Sequence, residues 1–444
     1  MANMTFMIYG GFIPEVDGCG ENDFRELSSS ETCKLLNEIQ QVSNCTPKLS
    51  AQFHSVGYEF GYYCDSAHEV KNSISIQMLG VFFGTILFGQ LSDVFGRRRI
   101  MLICVLSIAV FQYLASTSSD LTTFTLFQFG ALFFNGGISA INQVFVMETI
   151  PKKHRVWIAL AISYSPNYII FATIAYFSQD WRTLLKVISA LNIPTFICLW
   201  LAYESPRWLI QKGALEQAKE TYEKIEKWNG SASPERQKVL EQLIQREFLL
   251  LEQKKKSKKY YFYHLFYTWD MVKYNIAIAF SLICTATINY AIVFNMEKLS
   301  GSVYLNNVIL GVIGSFFNIV CGAIDYKRTS LFTVAVVVTG ELFPTPVRNI
   351  AASFQQIFTW FGTLLSPHFF YFTSFWTPAP YLFMIFFMGI NMITFYFLIP
   401  ESKGHPMHDH MPHKSERIFK RKPKDKETEA LTENGRTEIT NYGS

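Results

Sequence analysis

Long apolar segments separated by short polar turns dominate the pattern of this chain. The stretch Ile350–Pro400 contains no Asp, Glu, Lys or Arg, and a membrane-spanning helix needs about 20 apolar residues, so it predicts two consecutive spans. Most apolar segments are apolar all round rather than alternating with period two, which favours helices over strands. The pattern predicts helices at 74–92, 100–116, 121–147, 156–177, 183–203, 275–296, 302–324, 350–372 and 379–399.

Charged residues are concentrated outside these segments. Only 17% of the 444 residues are charged and 50% are hydrophobic, whereas a soluble chain carries about 25% charged residues. This composition excludes a soluble enzyme, a nucleic-acid-binding protein and an outer-membrane barrel. We expect the lipid bilayer, and no nucleic acid, to be a partner of the chain. Two further apolar segments, Met4–Val16 and Thr329–Phe343, are short for a full span.

The basic residues predict which ends of the helices face the cytoplasm. Arg97–Arg99 and Lys152–Arg155 each follow a predicted span, whereas the turn 116–123 between them contains no Lys or Arg. The block 204–273 is rich in Lys and Arg, and the block 17–70 is rich in acids. We therefore predict that 204–273 is cytoplasmic and that 17–70 is extracellular.

The extracellular block contains an even set of cysteines, which in an oxidising compartment predicts two disulfides. Four cysteines allow three pairings, and the spacing does not choose among them. The cysteines are Cys19, Cys33, Cys45 and Cys64. Asn44-Cys45-Thr46 is a glycosylation acceptor, and its external position predicts that Asn44 carries a glycan. Asn229-Gly230-Ser231 matches the same pattern in the cytoplasmic block, where we expect no glycan.

An ordered set of short motifs carries a family resemblance. Gly89-Gln90-Leu91-Ser92-Asp93-Val94-Phe95-Gly96-Arg97-Arg98 resembles the signature of the major facilitator superfamily. The further motifs are Glu148–Arg155, Asp180-Trp181-Arg182, Glu204–Leu209, Ser300–Asn306, Glu341–Asn349 and Pro400–Gly404. Together with the cysteine-containing external loop, the set is similar to the organic cation, anion and carnitine transporters among the solute carriers.

The resemblance implies an all-α polytopic protein of twelve helices in two bundles, built from inverted repeats. Here about nine to ten spans replace the twelve, because the first helix is short and the ninth is missing between Asp325–Arg328 and Thr329–Phe343. These gaps are typical of a splice form, an incompletely assembled gene sequence or a functional short protein. The predicted regions are 1–16 (first-helix remnant), 17–72 (external loop), 73–203 (N-terminal bundle), 204–273 (cytoplasmic loop), 274–400 (C-terminal bundle) and 401–444 (cytoplasmic tail).

The resemblance also implies a cytoplasmic gate of charge pairs. Its predicted residues are Gly89, Asp93, Gly96, Arg97, Arg98, Glu148, Arg155, Glu204, Arg207, Glu341, Arg348 and Glu401. Glycines such as Gly89 are expected to allow close helix approach. We expect Asp93→Asn or Arg97→Ala to lower transport turnover and leave surface expression largely intact.

The predicted spans contain almost no charge that could select a substrate ion. Lys186, near an external helix end, is the exception, and charged residues within spans are usually functional. Where related cation transporters have Asp and anion transporters Arg, this chain has Trp360; where relatives have a Glu on the eighth helix, it has Gly314. Candidate substrate contacts are therefore neutral polar or aromatic, with helix packing as their alternative role: Asn135, Asn142, Gln143, Tyr164, Asn167, Tyr290, Gln355, Gln356 and Trp360.

The functional hypothesis is a multi-pass transporter of small organic ions or solutes by alternating access, most naturally in the plasma membrane. The missing helices motivate one alternative, a transport-inactive chain that regulates or assembles with longer relatives. No P-loop, nucleophile elbow or metal-spaced Cys/His set occurs, so we predict no enzyme activity, no cofactor and no metal centre. Substrate identity and oligomeric state stay open.

Overall fold

The structure is a computed structural model of the 444-residue chain. It describes residues 2–25, 29–42, 45–149, 164–228, 241–246, 262–296, 299–327, 348–369 and 378–399, with a few single positions between these ranges. Within them, six helical stretches are long and apolar enough to cross a membrane. They are Cys64–Phe95, Arg97–Ala115, Leu121–Val146, Trp181–Leu201, Trp269–Phe294 and Ala379–Leu398.

The chain begins with a short helix that lies entirely inside the protein. Helix α1 (Ala2–Gly10) replaces the predicted apolar segment 4–16, and the side chains of Phe6, Met7 and Tyr9 are at most 1% exposed. Its aromatic residues pack in one large core cluster together with residues of both helix bundles. A helix of nine residues is too short to cross a bilayer, and the interior apolar surroundings account for its position.

A small disulfide-bonded domain follows, which we call the external domain because it lies in the segment predicted to be the external loop. Strands β1 (Glu15–Cys19), β2 (Asn22–Asp23) and β3 (Pro47–Ser50) form an antiparallel sheet in the order β2-β1-β3. Helices α2 (Ser29–Val42) and α3 (Val56–Phe60) complete the domain. The disulfides join Cys19 to Cys45 and Cys33 to Cys64, which selects one of the three possible pairings.

Within the described ranges, the N-terminal bundle contains five long helices besides α1. They are α4 (Ala67–Phe95), α5 (Arg97–Ala115), α6 (Leu121–Thr149), α7 (Tyr164–Ser178) and α8 (Trp181–Leu201). Helices α4 and α6 approach closely through glycines: a Cβ on Gly80 would lie 2.6 Å from the Phe129 carbonyl oxygen, and one on Gly136 would lie 2.3 Å from that of Val81. Small residues at such crossings let membrane helices pack backbone to backbone.

Two amphipathic helices lie in the predicted cytoplasmic block, α9 (Pro206–Lys212) and α10 (Leu215–Trp228). The described part of the C-terminal bundle contains four helices, α11 (Trp269–Phe294), α12 (Val303–Lys327), α13 (Arg348–Leu365) and α14 (Ala379–Leu398). The segment Thr329–Phe343 lies outside the described residues.

The boundary of the external loop was predicted wrongly. Helix α4 begins at Ala67 rather than at 74, because the polar residues of its first two turns resemble loop sequence. Lys71, counted with the polar loop, is only 3% exposed and lies within the protein. Lys186, the charge expected within a span, is exposed on α8. The small sheet of the external domain was not predicted either.

Candidate substrate pathway

The C-terminal ends of α4 and α6 are joined by a buried arginine. The Arg97 side chain is 5% exposed, and its Nη2 lies 2.9 Å from Asp93 Oδ1 and 3.2 Å from Glu148 Oε1. Its Nη1 donates to the main-chain carbonyl of Ser92 at 3.1 Å. Arg97 thus ties the end of α4 to the end of α6. A guanidinium suits this position because its fixed fork of donors serves several acceptors at once.

A third carboxylate, Glu204, completes this cluster. Glu204 accepts the backbone N–H groups of Arg97 (3.0 Å) and Arg98 (3.2 Å) at the start of α5, where the helix dipole favours a negative charge. Gly96 has φ 105°, and a Cβ there would lie 2.5 Å from a Glu204 oxygen. Only glycine therefore fits this turn. Ser205 donates its hydroxyl to Glu148, which connects the cluster to α9.

The predicted gate residues divide into three groups. Six lie in this cluster or its turn: Asp93, Gly96, Arg97, Arg98, Glu148 and Glu204. A Cβ on Gly89 would meet nothing within 4 Å, so the expectation of close helix approach at Gly89 is wrong, and Arg207 is exposed on α9. Arg155, Glu341 and Glu401 lie outside the described residues, as does the side chain of Arg348.

On the side of the disulfide-bonded domain, hydrogen bonds join the two bundles directly. The Lys71 ammonium on α4 donates to the Phe294 carbonyl at the end of α11 (2.8 Å) and to that of Gly11 (3.3 Å). Asn307 on α12 donates to Tyr9 Oη on α1 at 2.9 Å. Ser75 on α4 shares a 2.8 Å hydrogen bond with His368 Nε2, just beyond α13.

The bundles also touch through helices α7 and α12. A Cβ on Gly314 would lie 2.6 Å from the Ser165 hydroxyl oxygen, so the position where relatives have a Glu is closely packed here. Gly311, one turn earlier, lies against the Ser165 carbonyl in the same way. These contacts, like the hydrogen bonds above, join the two bundles.

Two candidate substrate residues contact α1, and a third lies in the same core cluster. Asn167 donates to Thr5 Oγ1 (3.0 Å) and Tyr290 donates to Met4 Sδ (3.6 Å), so both contact α1. Trp360 is 8% exposed in the same core cluster as Met4 and Tyr290. Its indole N–H has no hydrogen-bond partner among the described residues.

The other candidate substrate residues differ in burial. Asn135 and Gln355 are buried, at 4% and 5% exposure, whereas Asn142 and Gln356 are exposed on their helices. The side chains of Gln143 and Tyr164 lie outside the described residues.

Sequence reasoning missed three residues that join the bundles. Asn307 directly follows the quoted motif Ser300–Asn306, and its side chain is fully buried. His368 lies in a long segment without charged residues, and Lys71 lies in a polar segment. Neither residue therefore stood out from its sequence neighbours. A helix start placed at Ala67 would have put Lys71 on the same face as Ile74 and Met78, which are buried.

Among the described residues, one group of side chains has the spacing to hold a metal ion: His54, Glu59 and Asp180. Both Glu59 oxygens already accept hydrogen bonds from Arg182 (2.7–3.1 Å). Although partial burial opposes it, hydrogen bonding from Arg182 and Trp181 lowers the pKa of Glu59. One Asp180 oxygen caps α8 by accepting from the Thr183 N–H at 2.9 Å. Both carboxylates are therefore already hydrogen-bonded where the external domain contacts the N-terminal bundle.

Comparison with known proteins identifies the family of this chain. The family described as sugar (and other) transporter matches residues 30–326. Human solute carrier family 22 member 16 is 24% identical over 426 residues, covering 80% of this chain and 74% of that protein. Human organic cation/carnitine transporter 2 is 27% identical over 408 residues, covering 79% and 70%. The Drosophila melanogaster organic cation transporter protein is 24% identical over 448 residues, covering 89% and 80%.

Solved structures agree on the fold. The proton:xylose symporter XylE bound to 6-bromo-6-deoxy-D-glucose matches with a TM-score of 0.57 at 15% identity, covering 91% of this chain and 96% of that one. The inward-open conformation of XylE from E. coli matches with a TM-score of 0.52 at 14% identity and the same coverages. The predicted all-α polytopic fold is confirmed. The chain belongs to the sugar (and other) transporter family and is a transmembrane transporter with the major facilitator fold.

Proposed function

We propose that this transporter carries small organic solutes, zwitterionic or neutral with an aromatic or quaternary ammonium group, across the plasma membrane by alternating access. The observation that supports this most is the arrangement of the described contacts. The extracellular ends of the bundles are joined across α4, α11 and α12, whereas the cytoplasmic cluster around Arg97 holds α4, α6 and α9 together. A rocking motion of one bundle against the other would break the contacts between the bundles and leave the Arg97 cluster intact, because that cluster lies within the N-terminal bundle.

The chemistry of the candidate site favours weak selection by charge. Trp360 and Tyr290 offer aromatic faces, and a cation over such a face gains about 2 kcal/mol when desolvated. The names of two relatives include organic cations and carnitine, and carnitine combines a quaternary ammonium with a carboxylate. We extend this substrate class to the present chain, and we propose that it performs transport without enzymatic chemistry.

The substrate class is tested by competition for uptake. Cells that express the chain are given a labelled zwitterionic quaternary ammonium compound, with matched cationic, anionic and zwitterionic competitors. We expect the zwitterion to compete best, with the two singly charged forms within about tenfold of each other, or 1.4 kcal/mol. A preference of a hundredfold for one sign would contradict the proposal. Cells without the chain are the control for endogenous uptake.

The orientation of the external domain gives a separate prediction about glycosylation. Asn44 lies outside the described residues, but its neighbour Cys45 is disulfide-bonded to Cys19 in the external domain. We expect a glycosidase-sensitive gel shift that disappears in Asn44→Gln and persists in Asn229→Gln, because only the lumenal side is glycosylated during synthesis. A shift lost in Asn229→Gln alone would invert the proposed topology.

A further inference from the structure

A short segment of the external domain touches both helix bundles. We call residues 52–60 the outer strap; it contains the end of the loop after β3, the turn at Ser55 and helix α3. It lies across the extracellular ends of α8 and α12, which belong to different bundles. Any motion that separates the bundles on this side must therefore break its contacts with one of them.

The attachment to the N-terminal bundle is extensive. The backbone of His54 forms two 3.0 Å hydrogen bonds, one to the Gln179 carbonyl and one from the Trp181 N–H. Glu59 accepts the Trp181 indole N–H at 2.7 Å and the Arg182 guanidinium at 2.7 Å. Arg182 is itself held by the carbonyls of Ser116 and Ser118 (2.8 and 2.7 Å) and lies 4.4 Å from the Trp181 ring centroid. Hydrogen bonds between charged groups are roughly twice as strong as neutral ones.

In the described part of the chain, the hydrogen bonds from the strap to the C-terminal bundle all involve one residue. Gln52 Nε2 donates to the Gly301 carbonyl at 3.1 Å, and Gln52 Oε1 accepts the Val303 N–H at 2.8 Å. The Gln52 carbonyl accepts the Tyr304 hydroxyl at 3.0 Å. All three bonds are neutral. They engage the first turn of α12 and the loop that precedes it.

The strap also covers the end of α1. Phe53 is 1% exposed, and its ring centroid lies 5.3 Å from that of Tyr9. Ser55 donates its hydroxyl to the Phe12 carbonyl at 2.7 Å. Tyr9 in turn stacks on Tyr304 with centroids 5.7 Å apart. The strap, α1 and the start of α12 thus form one continuous layer over the closed pathway.

We propose that the outer strap is an extracellular gate that stays attached to the N-terminal bundle and releases the C-terminal bundle at Gln52 when the pathway opens outward. The inference rests on the proposed alternating access. Release at Gln52 breaks three neutral hydrogen bonds. Release on the other side would break the backbone bridge and separate Glu59 from Arg182, which costs more because the bonds are charge-assisted. Gln52 is therefore a positioning residue that sets the balance between the outward-closed and outward-open states.

The test measures opening without any substrate. Ser75, on the interface between α4 and α13, is replaced in a Ser75→Cys reporter chain. Its labelling by a membrane-impermeant thiol reagent is followed from outside in proteoliposomes containing the full chain. The chain without the reporter gives the background from its own cysteines, of which Cys104 and Cys284 are buried.

In the reporter chain, Gln52→Ala is expected to raise the labelling rate about tenfold, because a closed state stabilised by two side-chain hydrogen bonds is weakened. Tyr304→Phe keeps the ring stack with Tyr9 and removes one bond, so we expect about a threefold increase. The matched control is Gln41→Ala, an exposed glutamine on α2 of the same domain, which should leave the rate unchanged.

Equal labelling rates in Gln52→Ala and the reporter chain would overturn the proposal. An equal increase in Gln41→Ala would do so as well, because the effect would then come from a general loosening of the domain. The double variant of Gln52→Ala and Tyr304→Phe should show less than the product of the two single effects, since both residues act at one contact. If the labelling rates change as expected but no solute is transported, the proposed gate is supported and the proposed transport function is contradicted.

Discussion

Replacement of Arg97 by alanine is expected to destabilise the folded chain and abolish transport, whereas Asp93→Asn should lower turnover only. The Arg97 side chain is 5% exposed and faces Glu148, which is 13% exposed. Removal of one partner of such a buried pair costs about 3–5 kcal/mol, because it leaves a charge without compensation. Asp93 is 70% exposed, and exposed ion pairs contribute at most about 1 kcal/mol.

From the sequence alone, Asp93→Asn and Arg97→Ala were both expected to keep normal surface expression. The structure predicts that only Asp93→Asn does so. The measurements are the melting temperature of the purified chain, surface biotinylation and uptake. Arg207→Ala, an exposed arginine on the same side, is the matched control and should resemble the unmodified chain. Arg97→Lys should melt between Arg97→Ala and the unmodified chain. Lysine keeps the positive charge but lacks the several donors of the guanidinium. Normal melting of Arg97→Ala would mean that the cluster does not stabilise the fold.

Opposite charges introduced at Trp360 are expected to produce opposite substrate preferences. The Trp360 indole is buried beside Tyr290 and α1, and its N–H has no hydrogen-bond partner among the described residues. A charge about 4 Å from a substrate ion changes its free energy by about 4 kcal/mol at an effective dielectric constant of 20. We therefore expect Trp360→Asp to favour cations and Trp360→Arg to favour anions, each by about a hundredfold, or 2.7 kcal/mol.

Competition uptake with matched cations and anions measures this effect. Trp360→Phe keeps an aromatic ring and should retain the original preference, which separates loss of charge selection from loss of packing. Trp376→Asp is the control for a new charge on the surface, because Trp376 is 58% exposed. The same preference in Trp360→Asp and Trp360→Arg would show that this side chain does not face the substrate.

The long apolar runs were sufficient to predict the all-α polytopic fold class and most helices. Helix α6 (Leu121–Thr149) nearly coincides with the predicted span 121–147, because polar turns bound it on both sides. Helix α4 was predicted too short, since the burial of Lys71 depends on the carbonyl ends of α1 and α11. The sequence around Lys71 contains no information about the position of these distant helix ends, so its burial could not be predicted.

The candidate site was predicted less well than the fold. The charge pairs around Arg97 lie in short motifs, so residue type and spacing were sufficient to bring Asp93 and Glu148 into consideration. The roles of Gln52 and Asn307 depend on partners 251 and 298 residues away in the chain. A neutral amide of this kind has the same local signature in a loop, a helix interface and a binding site.

The central claim is that this chain moves a small organic solute by alternating exposure of one pathway. The most direct measurement is uptake by proteoliposomes that contain only the purified, full-length chain. We predict saturable uptake of a zwitterionic quaternary ammonium solute that is accelerated by unlabelled solute on the opposite side, because a loaded carrier returns faster. Uptake no greater than in protein-free liposomes, for cationic, anionic and zwitterionic solutes alike and with the chain correctly folded, would contradict the account and support a transport-inactive partner.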